Sequence, residues 1–147
     1  MTEPSPVTPL PYGVPIDLAS AAPVAAAAQA EAERNGWPMV IAVVDSAGHL
    51  VLLHRMDQAQ LGSIAVAQRK AETAVHFRRP TLEFQQRVAR GGEDLRILAM
   101  SNVIPIEGGL PLVVGGSIVG GIGVSGMSAD QDGQVARAGL AALFAPV

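Results

Sequence analysis

Hydrophobic residues follow two patterns in the first half of the chain: they recur at helical spacing in some segments and form short apolar runs in others. These patterns predict helices and strands, respectively. An alanine-rich segment over residues 17–35 predicts a helix with Asp17 or Ser20 as its N-terminal cap. It is predicted to stop at Asn35-Gly36, because a glycine after the last helical residue is a common C-terminal cap. The apolar segments 39–44 and 49–56 flank a short turn and predict a β-hairpin. Over residues 63–78 the apolar positions recur at helical spacing, which predicts an amphipathic helix.

The middle of the chain is more polar and its elements are less regular. A second helix is predicted to begin after Pro80 and to stop near Gly91-Gly92. Residues 94–101 allow one or two further helical turns before residues 103–106 extend.

The final third carries the clearest turn signal. Two apolar runs, 110–114 and 117–124, flank Gly115-Gly116, a pair typical of a two-residue hairpin turn with positive φ. Ser128 stands three residues before Gln131 ahead of an apolar helix, which is a capping-box pattern. The order helix, hairpin, helices, hairpin, helix predicts an α+β fold, a single domain with an antiparallel β-sheet flanked by helices.

Composition sets the size and the boundaries of this domain. With 147 residues we expect one domain, and with 49% hydrophobic but 3% aromatic residues its core must be aliphatic. Residues 1–15 include Pro4, Pro6, Pro9 and Pro11 in a polar context and are expected to form a flexible N-terminal arm. The folded domain is therefore expected over residues 16–147.

Charge and residue usage exclude several classes of function. A net charge of -3 gives no electrostatic reason to expect a nucleic-acid partner. The absence of cysteine excludes disulfides and thiolate catalysis, and the three histidines lack zinc-motif spacing, so we expect no metal site. No apolar run approaches the roughly 20 residues of a membrane span, and the acidic, proline-rich first residues do not resemble a secretory signal. We therefore expect a cytoplasmic protein without a membrane partner.

A glycine motif in the last hairpin superficially resembles a dinucleotide fingerprint. Gly121, Gly123 and Gly126 have its spacing, but they lie within a strand, whereas the fingerprint needs its glycines between a strand and a helix. Ser125 lacks the strand-to-helix elbow of a hydrolase nucleophile. Glycines in a strand more often mark the close approach of another backbone, a neighbouring subunit or a ligand.

Lys70 is the first candidate for chemistry. It lies on one helical face with Val66, Thr73 and Phe77, and this face is largely apolar. A partly desolvated ammonium there could bind a carboxylate or act as a nucleophile. The alternatives are a lysine that snorkels to solvent and an intersubunit salt bridge.

Glu72 and His76 form a second candidate on the same helix. They are four residues apart, with Arg69 before them and Arg79 after them. A carboxylate that holds an imidazole could serve as a general base, or could orient a histidine that binds a metal. The alternative is a solvated helix face with ordinary ion pairs.

The end of the first hairpin supplies candidate ligand-binding residues. His49 and His54 are five residues apart, so strand alternation points them to opposite faces. His54 shares its face with Leu52 and Met56 and is the better pocket candidate, while His49 follows the turn and is expected to be exposed. A histidine here could equally have only a structural role.

Charged residues and glycines at the hairpin ends extend this candidate site. Arg55 and Asp57 end the first hairpin, and Gly108-Gly109 opens the second. If the hairpins are adjacent, these ends could meet near the helix that carries Lys70, and the Gly108-Gly109 amides could form an anion nest; otherwise the glycines only turn the chain. A locally basic middle region would favour a carboxylate-bearing ligand. Its members are Arg69, Lys70, Arg78, Arg79, Arg87, Arg90 and Arg96.

Several short motifs together resemble the GlcG/HbpS family, which includes the C-terminal domain of PduO-type proteins. The resemblance spans roughly residues 16–143. The matching pieces are Trp37-Pro38, Ile41-Ala-Val-Val-Asp45, Gly48-His-Leu-Val51, Arg55-Met-Asp57, Lys70-Ala71, Thr73-Ala74, Arg79-Pro80-Thr81, Gly108-Gly-Leu-Pro111 through Gly126, Asp130-Gln-Asp132 and Ala136.

This resemblance implies a profilin-like α+β fold, a homo-oligomer and, for some members, the binding or degradation of haem. Relatives often carry an aromatic residue where this chain has Glu72. The leading hypothesis is a small-ligand-binding protein of the GlcG/HbpS type, with haem or a related carboxylate-bearing compound as ligand. The alternative is a cofactor-independent isomerase, lyase or hydrolase that acts on a small oxo or hydroxy acid. In that case Lys70 would activate the carbonyl, and Glu72 with His76 would move the proton.

Overall fold

The computed structural model describes residues 9–143. Its four strands form one antiparallel sheet, and the predicted α+β class is confirmed. The strands are β1 (Val40–Asp45), β2 (Leu50–Arg55), β3 (Gly109–Val114) and β4 (Ser117–Ser125), in the spatial order β2-β1-β4-β3. The helices are α1 (Leu18–Asn35), α2 (Ser63–His76), α3 (Thr81–Arg90) and α4 (Ala129–Ala142), with a 3-10 helix at Gly92–Ala99.

The ends of α1 follow from local chemistry. The Asp17 side chain accepts a hydrogen bond from the Ser20 amide at 2.8 Å and satisfies a donor that the first turn leaves free. Gly36 ends the helix with φ of 72°, a left-handed conformation that glycine adopts without steric cost. Both of these residues were predicted as helix boundaries.

The sheet separates two helical layers because the side chains of β1 alternate between its faces. Ile41 and Val43 pack against α1 and α4, whereas Val40, Ala42 and Val44 pack towards α2. All five are completely buried, so β1 is the centre of the core. This aliphatic core agrees with the prediction from composition.

The glycines of β4 allow α2 to lie directly on the sheet. A Cβ added at Gly121 would be 2.8 Å from the Ala71 carbonyl oxygen, and one added at Gly123 would be 2.5 Å from the Ala71 nitrogen. Of the three alternatives for these glycines, the structure therefore supplies another backbone of the same chain as the close neighbour.

Hydrogen bonds connect two segments outside the helices and the main sheet, residues 103–106 and residues 11–13, to the rest of the domain. Residues 103–106, predicted to extend, form no strand, and Ile106 lies in a bend; the Ile104 amide donates to Thr73 Oγ1 at 3.2 Å. Within the predicted arm, residues 11–13 run alongside β4, and the Gly13 amide donates to the Ile118 carbonyl at 2.8 Å. Residues 1–8 of that arm lie outside the described residues. No described helix is long and apolar enough to cross a bilayer.

Candidate functional site

Lys70 lies in the interior of the protein. Its side chain is 1% exposed, and its Nζ donates to Asp132 Oδ2 at 2.8 Å and to the Val124 carbonyl at 3.0 Å. The side chain thus does not snorkel to solvent, and its carboxylate partner belongs to the same chain. The sequence predicted that Lys70 lies on an apolar helical face, but no sequence pattern identified Asp132 as its partner.

Asp132 is as fully engaged as Lys70. Its Oδ1 accepts a hydrogen bond from the Met127 amide at 3.0 Å, and its side chain is 4% exposed. Burial raises the pKa of the Asp132 carboxyl above its ordinary value, and the hydrogen bond from Lys70 opposes that rise. The carboxylate lies in the first turn of α4, where the helix dipole favours negative charge.

The two glycines at the start of β3 leave room for this ion pair. A Cβ added at Gly108 would be 2.9 Å from Lys70 Nζ and 2.6 Å from the Val124 carbonyl oxygen. The amide of Gly109 already donates to Thr81 Oγ1 at 2.9 Å. The predicted anion nest is therefore wrong for Gly109, because its N–H is not available to a ligand.

Glu72 and His76 do not form the predicted general-base pair. No hydrogen bond or ion pair connects them within residues 9–143. His76 is exposed, and its ring packs against Gly48, where a Cβ would clash with it. Lys70 and Glu72 are two residues apart and so point to different sides of α2. These three residues do not converge, and the arrangement required for the predicted acid-base enzyme is absent from them.

His54 lies on the other face of the sheet from α2. It pairs with Ile41 of β1 and so shares the face covered by α1 and α4. Its Nδ1 is enclosed by protein and makes no hydrogen bond within residues 9–143. An enclosed imidazole nitrogen without a partner is uncommon, because burial without a hydrogen bond costs free energy. His49 is exposed, as predicted.

Arg55 and Asp57 line two adjoining clefts at the end of β2. We call the two together the β2-end cleft. One part has a volume of about 300 Å³ and lies against α1, and the other has a volume of about 590 Å³. Arg55 is exposed and makes no ion pair or hydrogen bond with any described residue. The lining residues are Gln29, Glu33 and residues 55–61.

The two predicted groups of site residues therefore occupy different places. The ends of the two hairpins lie at the same end of the sheet, but β1 and β4 separate Arg55 from Gly108. Three strand spacings correspond to roughly 14 Å. The structure places Arg55 and Asp57 in the walls of the cleft and Lys70 beside Gly108 elsewhere, whereas His54 precedes Arg55 on β2 but does not line the cleft.

An apolar groove lies outside all of the predicted site residues. It has a volume of about 660 Å³ between the start of α1, the end of α4 and the β3–β4 hairpin. The sequence signal was the apolar segment 14–16, in which Val14 is 80% exposed. Within residues 9–143 no cluster of three or more histidine and carboxylate side chains could hold a metal ion.

A four-stranded antiparallel sheet with helical layers on both faces and a cleft at the end of β2 defines the class of this domain. The model of the family described as "Haem degrading protein HbpS-like" matches residues 16–141, so the chain belongs to that family. The resemblance found in the sequence motifs is confirmed.

Individual relatives agree with this assignment. GlcG of Escherichia coli strain K12 is 41% identical over 105 residues, which cover 71% of this chain and 77% of GlcG. The crystal structure of Klebsiella pneumoniae ORFY matches with a TM-score of 0.85 and 29% identity, covering 100% of this chain and 99% of ORFY. A crystal structure of a PduOC:heme complex matches with a TM-score of 0.80 and 31% identity, covering 88% of this chain and 95% of that chain.

Proposed function

We propose that this protein binds haem, or a related carboxylate-bearing compound, at the β2-end cleft. The observation that carries the proposal is the match to PduOC, which was solved as a haem complex and of which 95% is covered at a TM-score of 0.80. The description of the family as haem degrading supports the same class of ligand.

Several residues around the cleft fit the chemistry of haem, and its lining also includes the carboxylates of Glu33 and Asp57. Haem-binding sites commonly supply a cation near the propionates, apolar walls for the ring and a side-chain ligand for the iron. Arg55 is a cation without a described partner, and Met56 and Leu61 supply apolar surface. His54, which precedes Arg55 on β2, has an enclosed Nδ1 without a hydrogen bond and would have to turn towards the cleft to meet the iron.

Arg55 and His54 would make different interactions with the ligand, one with its carboxylate and one with its iron. Arg55 would hold a carboxylate, because its exposed guanidinium can form two parallel hydrogen bonds to that group. His54 would offer a nitrogen donor to the iron. Bound haem would supply an iron centre whose reactivity depends on the polarity and hydrogen-bond donors around it. Lys70 is not assigned to the ligand, since Asp132 and Val124 already accept its hydrogen bonds.

Titration with hemin tests the proposal. We expect a saturable shift of the Soret band, weakened at least about tenfold in His54→Ala and in Arg55→Ala, which is a loss of about 1.4 kcal/mol or more. His49→Ala is the matched histidine control, and Arg90→Ala is the matched arginine control with a side chain 67% exposed on α3. Absence of a saturable shift would refute haem binding. Equal affinities of all four variants would refute the assigned site.

A carboxylate-bearing ligand without iron is distinguished by a second titration. Protoporphyrin IX without metal retains both propionates, so Arg55→Ala should weaken its binding while His54→Ala should not. If His54→Ala weakens the binding of both porphyrins equally, the histidine has no role in iron coordination.

A further inference from the structure

The apolar groove between the start of α1, the end of α4 and the β3–β4 hairpin is separate from the β2-end cleft. We call it the α1–α4 groove. Its volume of about 660 Å³ lies within the range of roughly 300–1,000 Å³ that is common for small-molecule sites. Nine of its eleven described lining residues are apolar, and none of the eleven lines the β2-end cleft. The groove is therefore a second place where a small molecule can bind.

The wall of the groove that residues 14–16 form is attached to the sheet. The Ile16 amide donates to the Val119 carbonyl at 2.8 Å, and both residues line the groove. Pro15 and Pro23 also line it, and the ring of each proline fixes its φ angle. Few backbone torsions in these walls are therefore free to close the groove, which agrees with the largely pre-formed shape of most ligand sites.

Two of the apolar lining residues are strongly exposed. Val14 is 80% exposed and Val114 is 47% exposed. Single exposed apolar residues are common on protein surfaces, but these two belong to one apolar groove, and a contiguous apolar surface of this kind is typical of a binding site. A ligand that covers them would remove apolar surface from water, which is favourable.

Asp17 carries the only charge among the described residues that line the groove. Hydrogen bonds from Ser20 lower the pKa of the Asp17 carboxyl below its ordinary value, so the group is ionised at neutral pH. The side chain is exposed. A carboxylate beside an apolar groove attracts a cationic group of a ligand and repels an anionic one.

We propose that the α1–α4 groove binds a free single-chain amphiphile, with its aliphatic chain against the apolar walls and a cationic head group beside Asp17. A single chain is expected because the volume of the groove is that of a site for one small molecule. The Asp17 carboxylate disfavours fatty acids and the propionates of haem. The ligand of this groove therefore differs in class from the ligand proposed for the β2-end cleft.

Isothermal titration calorimetry with dodecyltrimethylammonium, below its critical micelle concentration, tests the proposal on the full chain. We expect saturable binding with a stoichiometry of one, tighter than the binding of dodecanoate by at least about threefold. Shortening the chain of the cation to decyl should weaken binding, by up to about fourfold for each CH₂ group removed.

A variant that fills the groove tests where the aliphatic chain binds. Ala19 lines the groove and is exposed, so Ala19→Trp adds a large side chain there without overpacking the core. We expect it to weaken the binding of dodecyltrimethylammonium at least about tenfold. Ala26→Trp is the matched control, because Ala26 is exposed on the same helix but does not line the groove.

Removing the charge of Asp17 tests where the head group binds. Asp17→Asn should weaken the binding of the cation by about two- to fivefold, as expected for an exposed ion pair, and should not weaken the binding of dodecanoate. Asparagine caps a helix about as well as aspartate, so α1 keeps its first turn. Asp130→Asn is the matched control, since Asp130 is an exposed carboxylate in the first turn of α4, whereas the groove lies at the end of that helix.

Arg55→Ala distinguishes the two sites and should leave the affinity for dodecyltrimethylammonium unchanged. A loss of affinity in Arg55→Ala would place the amphiphile in the β2-end cleft and overturn the proposal. Absence of saturable binding, or equal affinities of Ala19→Trp and Ala26→Trp, would also overturn it. Dodecanoate that binds as tightly as the cation would refute the role of Asp17, as would equal affinities of Asp17→Asn and Asp130→Asn. Circular dichroism establishes that each variant is folded, and the Asp17→Asn comparison decides the question if Ala19→Trp is not.

Discussion

Lys70 on α2 and Asp132 on α4 form an ion pair of 2.8 Å that joins the helical layers on the two faces of the sheet. The pair passes the start of β3 at Gly108, whose missing side chain leaves the necessary space. Its buried charges satisfy each other and two backbone groups, the Val124 carbonyl and the Met127 amide. We therefore expect the pair to stabilise the packing of the two helical layers against the sheet.

Removing one partner should destabilise the fold strongly. Lys70→Ala or Asp132→Ala leaves an uncompensated buried charge, and we expect a loss of about 3–5 kcal/mol in the free energy of unfolding. The double variant Lys70→Met, Asp132→Leu should lose less than either single variant. Urea denaturation measures all three, with Arg137→Ala, which breaks an ion pair whose arginine is 58% exposed, as a control expected to lose no more than about 1 kcal/mol. Equal losses of unfolding free energy in the control and in Lys70→Ala would show that the buried ion pair does not stabilise the fold in this way.

The raised pKa of Asp132 should appear in the pH dependence of stability. Burial raises this pKa above 3.8, so in the window just above 3.8 the folded state binds more protons than the unfolded state. The contribution of Asp132 to stability is therefore fully present below pH 3.8 and is lost as the pH rises through the folded-state pKa. The difference in unfolding free energy between wild type and Asp132→Asn should accordingly fall with rising pH in that window. A difference that increases would mean that the carboxyl pKa is lowered in the folded state.

Gly123→Ala should disrupt the contact between α2 and β4. A Cβ at this position would meet backbone atoms of Ala67 and Ala71, which cannot move as a flexible side chain can. Overpacking of this kind costs about 1–3 kcal/mol, and we expect a loss at the upper end of that range. Gly62→Ala is the control, since nothing lies within 4 Å of its added Cβ. Thermal or urea unfolding that is unchanged by Gly123→Ala would show that the two elements can separate.

His54→Phe should separate ligand binding from stability. Replacing a ring with an unpaired enclosed nitrogen by an apolar ring of similar shape should leave the unfolding free energy unchanged or raise it by up to about 1 kcal/mol. The same change should abolish the hemin shift that depends on His54. If His54→Phe instead destabilises the fold while hemin binding persists, the histidine has a structural role.

Much of the fold could be predicted because its signals are local. The cap at Asp17, the stop at Gly36 and the turn at Gly115-Gly116 each depend on residues close in sequence, and the structure confirms all three. The hydrophobic periods likewise placed every helix and strand within a few residues of its observed range.

The candidate site was less predictable because it depends on long-range contacts. Lys70 and Asp132 are 62 positions apart, so spacing along a helix could not pair them. Helical spacing correctly brought Glu72 and His76 onto neighbouring turns, yet it could not show that the His76 ring packs on Gly48 instead. The separation of Arg55 from Gly108 required the strand order, which two hairpins alone do not determine.

The bare glycine surface of β4 also limits where this protein can move. At Gly123 the backbone of α2 meets the backbone of β4 directly, and at Gly121 it does so beside the Val75 side chain, so changes of side-chain rotamer can absorb little of a shift of the helix. The helix and the strand must then travel as one body. Any adjustment to a ligand in the β2-end cleft is consequently left to residues 56–62, which connect β2 to α2, and to the side chains of α1 that line the cleft.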